Sequence, residues 1–310
     1  MNIKAKTAHH SLAQEQAIAI ELNGIAFAVM MMTPQDLSYF AIGFLFTEGI
    51  IDTIVDVHAV EEHCFSEHSF SNSSVSKNTG ADHSIERPNI HKEDRLYHQT
   101  VGLQLGLTLK ISLANRSFFR FKERIRLLKG SSGCGICGSA ALDETFKQIK
   151  LKQSQMIAAQ YDICALIDIR EKVQQYQTIS ADSGAMHGAF LICPKGSIKA
   201  SCEDIGRHNA LDKLIGNILA NKIEYQDHAA LVTSRCGAEL VQKILRIGIK
   251  TLISFASPSD LALQLANTAN ITLIHVPKKD APIVYSPPFI NQNDSLENTH
   301  TTMAIENGEN

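Results

Sequence analysis

Residues 229–256 read AALVTSRCGAELVQKILRIGIKTLISFA, and this stretch decides the fold class. Two apolar runs of strand length, 229–234 and 251–256, enclose a segment in which Leu240 and Ile244 recur at helical spacing. A strand, a helix and a second strand in succession are typical of an α/β layer with parallel strands. The stretch therefore predicts the central unit of such a layer.

The same alternation continues on both sides of this unit. Apolar runs at 188–193 and 271–276 have strand length, and helical patterns occupy 203–222 and 257–270. Glu203 and Asp204 stand where they could cap the first of these helices. The second half of the chain is therefore predicted to form a largely parallel α/β layer.

The first half of the chain has a different pattern. Residues 17–29 alternate around an Asn-Gly pair, which predicts a β-hairpin. The next segment predicts a helix with Thr33 as N-cap, Pro34 in the first turn and Gly49 at its end. We expect a smaller, β-rich N-terminal domain beside the α/β layer.

These patterns divide the chain into domains. A flexible N-terminus (1–16) precedes an N-terminal domain (17–130), which carries a mobile insertion rich in Ser, Asn and His (62–100). An α/β domain (131–290) and a disordered tail (291–310) complete the prediction.

Composition excludes several classes of function. The net charge of −3 gives no global attraction to nucleic acid or anionic lipid. No apolar run approaches the roughly 20 residues of a membrane helix, and the N-terminus lacks the apolar region of a secretory signal. The seven cysteines are odd in number and mostly scattered, which is not typical of a disulfide framework. We therefore expect a cytoplasmic protein.

Cys134 and Cys137 form a CxxC motif in the glycine-rich stretch SSGCGICGSAAL. A structural zinc site needs four ligands, and no second CxxC or HxxxH accompanies the motif. A thioredoxin-like switch is also open, although the preceding segment is basic rather than strand-like. The third alternative is a reactive thiolate, which the upstream cations and a following helix N-terminus both favour.

Four further residues are candidates for binding an anionic ligand. Arg207 and His208 stand at the start of a predicted helix, where they could bind phosphate or form only a surface ion pair. Arg235 follows a predicted strand at the end where α/β sheets bind ligands, and arginine can donate two hydrogen bonds to a phosphate. His187 precedes an apolar strand and is a weaker candidate.

Several motifs, in this order, resemble the FdhD/NarQ family of formate dehydrogenase accessory sulfurtransferases. They are GCGICG, SADSGAMHGAF, CEDIGRHNALDKLIG, VTSRCGAELVQKILRIGI and FASPSDLALQLA, preceded by MMTPQDLSYFAIGFLFTEGII. The resemblance extends over residues 17–286 apart from the insertion. Several colinear motifs are far more specific than one CxxC.

The resemblance implies a function and its partners. A cysteine desulfurase would donate sulfur to Cys134, which would hold it as a persulfide with help from Cys137. The sulfur would pass to a molybdenum or tungsten bis-molybdopterin guanine dinucleotide cofactor, destined for the formate dehydrogenase apoprotein. The family also implies a homodimer and a C-terminal half similar to cytidine deaminase but without its zinc, so no structural metal is expected.

The family's cofactor-binding turn maps onto six residues near the end of the last strand, namely Val276, Pro277, Lys278, Lys279, Asp280 and Ala281. The family commonly has an arginine and a glycine in this turn, whereas this chain has two lysines and an Asp-Ala pair. The lysines can meet phosphate as point charges, but the bidentate arginine is absent from the turn.

Two other functions are open to the sequence. The protein could be a chaperone that binds the cofactor without transferring sulfur. It could also be a zinc-dependent, deaminase-like hydrolase, since HKE at 91–93 precedes the CxxC motif.

Overall fold

The computed structural model of this protein describes residues 12–64, 106–130 and 163–285. The CxxC motif, the predicted tail and most of the predicted insertion lie outside these ranges. Within them, no helix is both long and apolar enough to cross a membrane.

A four-stranded sheet forms the N-terminal part, with strand order β2-β1-β4-β3. Its strands are β1 (Gln16–Leu22), β2 (Ile25–Met32), β3 (Val57–Cys64) and β4 (Leu107–Leu113). Only β1 and β4 run parallel, and β3 extends over the first residues of the predicted insertion.

The predicted hairpin joins β1 and β2. Asn23 and Gly24 both have positive φ, 45° and 80°, as a two-residue hairpin turn with two left-handed positions requires. Alternation along β1 buries Ile18, Ile20 and Leu22 against the helices. This prediction is confirmed.

A six-stranded sheet forms the second layer, in the order β10-β9-β8-β7-β5-β6. Its strands are β5 (His187–Ile192), β6 (Ile198–Asp204), β7 (Ala229–Arg235), β8 (Thr251–Ala256), β9 (Thr272–His275) and β10 (Ile283–Val284). Only β7, β8 and β9 are mutually parallel. The mixed α/β class is confirmed, but "largely parallel" is wrong, because β5 and β6 form an unpredicted hairpin at one edge and β10 returns antiparallel at the other.

Seven α-helices accompany the sheets in the described ranges. They are α1 (Leu37–Thr47), α2 (Asn115–Gly130), α3 (Ile169–Tyr176), α4 (Thr178–Ser183), α5 (Arg207–Ala220), α6 (Ala238–Ile247) and α7 (Asp260–Ala269). Short 3₁₀ turns occupy Ile54–Asp56 and Ile163–Leu166.

Thr33 does not cap α1, so this prediction is wrong. The helix begins four residues later, after Asp36, whose φ of 53° is left-handed. Thr33 is buried instead: its N–H donates to Asp204 Oδ2 at 3.1 Å, and its hydroxyl accepts from the N–H of Ile205. A long-range partner has replaced the local capping role. Gly49, with φ 72°, lies just beyond the helix end as predicted.

Helices α1 and α5 cross in direct backbone contact, which we call the helix crossing. A Cβ built on Gly43 would lie 1.8 Å from the carbonyl oxygen of Asp212, and one on Gly216 would lie 1.8 Å from that of Tyr39. Only glycine allows such an approach.

One apolar cluster joins the two sheets through this crossing. It includes Ile20 and Leu109 of the small sheet, Phe40 of α1, Leu214 of α5 and Val232 of the large sheet. Residues on both sides of position 131 therefore share a core, while the domain boundaries themselves stay a prediction.

Candidate functional site

The carboxyl ends of the parallel strands lie together at one edge of the large sheet. Strands β7, β8 and β9 end there at Arg235, Ala256 and His275. Antiparallel β5 begins there with His187, which pairs with Asp204 at the end of β6. We call this region the carboxyl edge. It also includes the first turns of α5, α6 and α7 and residues 276–281. Such edges are where α/β sheets bind ligands.

The structure brings the four candidate residues of the second half to the carboxyl edge. Arg207 and His208 occupy the first turn of α5, Arg235 ends β7, and His187 begins β5. Arg235 is exposed and the other three are half-buried. Their placement agrees with a shared site, and their role in binding stays a prediction.

Two helix N-termini add positive potential to this edge. Helix α5 begins after Gly206 and α6 after Gly237, so neither N-cap residue has a side chain to accept the N–H groups of the first turn. The dipole of each helix favours negative charge at this end. With Arg207 and Arg235 nearby, the arrangement suits phosphate groups.

The surroundings of His187 favour the neutral form of its imidazole. Burial lowers the pKa of its imidazole, and the positive charges of Arg207 and His208 lower it further, while Asp204 opposes them. The neutral ring can accept a hydrogen bond as well as donate one.

His208 lies against the first turn of the neighbouring helix. Its Nε2 is 2.6 Å from Oε2 of Glu239, although the ring is not aligned with the carboxylate as a good hydrogen bond requires. Burial is the largest influence and lowers the pKa of His208, with Arg207 and Lys243 acting in the same direction and Glu239 opposing them.

Glu203 and Asp204 do not cap α5, which corrects the sequence prediction. The Glu203 carboxylate accepts from the N–H groups of Ile179 and Ser180, at 2.8 and 3.1 Å, and so caps α4. Both acidic residues belong to β6, because the strand continues to position 204 before the chain turns into the helix.

Lys213 is a buried residue that sequence reasoning missed. Its side chain is fully buried, and Nζ lies 2.7 Å from Asp204 Oδ2 and 3.0 Å from the carbonyl oxygen of Thr33. Asp204 also accepts from the N–H of Gly206 and from Asn209. The network fixes the start of α5 and hence of Arg207. The sequence contains one signal of this burial, since Lys213 stands beside Leu214 in the apolar stripe of the helix.

The predicted cofactor turn follows β9 directly. Val276 is buried and Pro277 is half-buried, while Lys278, Lys279, Asp280 and Ala281 are exposed. The turn therefore offers two lysine side chains to solvent at the carboxyl edge.

Arg170, in the first turn of α3, contacts the beginning of this turn. Its guanidinium donates to main-chain carbonyls of Phe255, Val276 and Pro277. In the sequence this residue belongs to an amphipathic helix and resembles an ordinary surface arginine, so no local signal predicts the contact.

A cavity of about 830 Å³ lies elsewhere, over the small sheet. Ala19, Glu21, His63, Thr108 and Lys110 are among the residues that line it, and none of the predicted site residues in the described ranges does. We therefore place the candidate site at the carboxyl edge, where the predicted site residues of the described ranges lie together.

The zinc sites that the sequence leaves open would use mainly the cysteines of the CxxC motif. In residues 12–64, 106–130 and 163–285, no group of three or more His, Cys, Asp or Glu side chains is arranged to hold a metal ion. Cys134 and Cys137 lie outside these ranges.

Together, the fold and the site define a mixed α/β protein with a polar carboxyl edge that carries arginine and lysine side chains beside acidic ones. A crystal structure of a protein assigned as a formate dehydrogenase accessory protein, from Desulfotalea psychrophila, has the same fold. Its TM-score is 0.57 at 21% sequence identity, with 89% of each chain covered. The FdhD/NarQ family model matches residues 13–290. The chain therefore belongs to the FdhD/NarQ family, which confirms the resemblance found in its motifs.

Proposed function

We propose that this protein acts in the maturation of formate dehydrogenase as a cytoplasmic sulfur carrier. The observation that carries the proposal is the family match over residues 13–290, a range that includes both cysteines of the CxxC motif. The accessory role assigned to the protein of similar fold agrees with it.

In this proposal, Cys134 receives sulfur from a cysteine desulfurase. The Cys134 thiolate attacks the terminal sulfur of the desulfurase persulfide. A new S–S bond forms on Cys134 as the old one breaks, and the desulfurase cysteine leaves as a thiolate. In the later release, the Cys137 thiolate would attack Sγ of Cys134, so that the S–S bond of the persulfide breaks, the outer sulfur leaves as sulfide for the cofactor, and a Cys134–Cys137 disulfide forms.

The carboxyl edge would hold the cargo, a molybdenum or tungsten bis-molybdopterin guanine dinucleotide. Its pyrophosphates suit Arg207, Arg235 and the N-termini of α5 and α6, and the exposed lysines of residues 276–281 add point charges. The formate dehydrogenase apoprotein would then receive the sulfurated cofactor. A homodimer remains the expected assembly.

Mass spectrometry after incubation with a cysteine desulfurase and cysteine tests the sulfur step. We expect one added sulfur atom on the peptide that contains Cys134, and no such gain in Cys134→Ala. Cys164→Ala is the matched control, because Cys164 is an exposed thiol of the same chain that the proposal does not use. An unmodified wild-type peptide, or full formate dehydrogenase activity in cells with Cys134→Ala, would contradict the proposal.

A chaperone that binds the cofactor without transferring sulfur is the second candidate. One observation favours it: the carboxyl edge offers features suited to binding an anionic ligand, which are the N-termini of α5 and α6 and the side chains of Arg207, Arg235, Lys278 and Lys279. This candidate requires that Cys134→Ala keep both cofactor binding and enzyme maturation, so the same variant separates the two functions.

A further inference from the structure

Arg170 fastens the ends of two neighbouring strands. Its Nε donates to the carbonyl oxygens of Val276 and Pro277, at 3.0 and 3.1 Å, and Nη2 donates to that of Phe255 at 2.6 Å. Nη2 also reaches Val276. Within the described part of the chain, every hydrogen bond that Arg170 donates ends on a main-chain carbonyl of β8 or of the segment that follows β9.

The planar guanidinium suits this arrangement for a physical reason. The carbonyls that end parallel strands point into one small region without strand partners, and buried carbonyls must be hydrogen-bonded. Arginine offers five donors in a rigid fork, so one side chain can bridge both strand ends. Lysine has a single ammonium group and cannot reproduce this geometry.

The ring of Phe255 holds the guanidinium in place. The central carbon of the Arg170 guanidinium lies 4.1 Å from the ring centroid, within the range of a cation–π contact. Phe255 itself packs against the apolar cluster that contains Leu166 and Ile169 on the outer side of the sheet. The arginine is therefore clamped between a ring and three carbonyls.

The contacts of Arg170 end where the exposed part of the turn begins. Pro277 is the last residue whose carbonyl Arg170 holds, and Lys278 to Ala281 follow immediately in solvent. Proline fixes its own φ. The contact of Arg170 therefore lies at the point where the chain leaves Pro277 toward both lysines.

We propose that Arg170 is a positioning residue for the turn at residues 276–281, which it holds in the shape that binds a guanine nucleotide. The identity of the nucleotide rests on the proposed function; the positioning of the turn does not. In this arrangement Arg170 supplies rigidity to the turn from a helix outside it.

The test compares Arg170→Ala with a matched control, Arg246→Ala. Arg246 likewise donates to two main-chain carbonyls, of Phe46 and Ile51, and its guanidinium carbon lies 5.0 Å from the centroid of the Phe46 ring. Arg246 lies on α6 and contacts the N-terminal part of the fold. Arg170→Lys and Phe255→Leu are milder variants that keep the test usable if Arg170→Ala does not fold.

Two readouts separate positioning from ligand binding. Hydrogen exchange of the Val276 amide, which donates to the carbonyl oxygen of Ser254 at 2.9 Å, should be at least tenfold faster without ligand in Arg170→Ala and unchanged in Arg246→Ala. GDP, the probe for the nucleotide, should bind at least tenfold more weakly to Arg170→Ala, and Arg170→Lys and Phe255→Leu should give smaller losses in the same direction. Arg246→Ala should bind GDP as the wild type does.

Each outcome decides a different claim. Unchanged exchange of the Val276 amide in Arg170→Ala would overturn the positioning role, and so would an equal increase in Arg246→Ala. Faster exchange with unchanged GDP affinity would overturn the link to nucleotide binding. A wild-type protein that does not bind GDP would contradict the cofactor part of the proposed function, while the exchange data would still decide whether Arg170 positions the turn.

Discussion

The helix crossing and the carboxyl edge use the same residue types for opposite purposes. At the crossing, Gly43 and Gly216 let two helix backbones touch, and Asp212 is fully buried beside Lys243. At the edge, Gly237 has open space around it, and the side chains of Arg235, Lys278 and Lys279 reach solvent. Where neighbouring atoms exclude water, a glycine or a charged side chain therefore contributes to packing. Where water has access, the same residue types can contribute to binding a ligand. Solvent access, rather than residue identity, separates the two roles.

Alanine at the two kinds of glycine should give the largest contrast. Gly216→Ala would place a methyl group 1.8 Å from a carbonyl oxygen of the facing helix, so we expect a loss of more than about 3 kcal/mol or failure to fold. Gly237→Ala meets no atom within 4 Å and should cost only about 1 kcal/mol, as the loss of an N-cap glycine. Urea unfolding of both variants measures the difference, and equal stability would show that the helices do not cross as described.

Removing one charged partner in each region should give the next largest contrast. Lys243 Nζ lies 2.8 Å from Asp212, which also accepts from the Thr47 hydroxyl. Lys243→Met leaves a buried carboxylate without its cation and should cost about 3 kcal/mol. Glu239→Gln at the edge should cost less than about 1 kcal/mol, since its partner His208 and the carboxylate are both partly exposed. Calorimetry can measure the loss of stability in both variants. A smaller loss of stability for Lys243→Met than for Glu239→Gln would contradict the expected order.

The edge should also respond to mild acid. Burial lowers the pKa values of His187 and His208 in the folded state below the usual 6.5, so the unfolded chain binds more protons. Their contribution to stability is present above pH 6.5 and is lost as the pH falls through the lowered values. The melting temperature should fall between pH 7 and 5, less steeply in His187→Gln and His208→Gln. A slope in both variants equal to that of the wild type would contradict this prediction.

Arg235→Ala should have the smallest effect on stability and a clear effect on binding. Its side chain is exposed at the end of β7, so we expect a change in unfolding free energy within about 0.5 kcal/mol. The loss of one phosphate contact should weaken GDP binding by roughly tenfold, because a charge-assisted hydrogen bond contributes about 1.5 kcal/mol or more. Unchanged GDP affinity would remove Arg235 from the site.

Sequence reasoning placed most of the secondary structure because local periodicity reports which face of each element is buried. It failed where a distant partner replaced a local one. Thr33 looked like an N-cap, yet it bonds Asp204, 171 residues away. Glu203 looked like a cap for the next helix, yet it caps α4, which precedes it. The hairpin of β5 and β6 was missed because the helix signal of the following segment extended over its last residues.

The sequence by itself determined the hairpin at Asn23 and Gly24, the βαβ unit at 229–256, the family, and the candidate residues that the structure brings to the carboxyl edge. These follow from patterns within a few residues or from motifs in a fixed order. Only the tertiary structure decided that Gly43 meets the helix of Gly216, that Lys213 is buried, and that Arg170 clamps a turn 106 residues away. Such contacts join residues far apart in the chain. They depend on how closely packed elements approach each other, which no local pattern encodes.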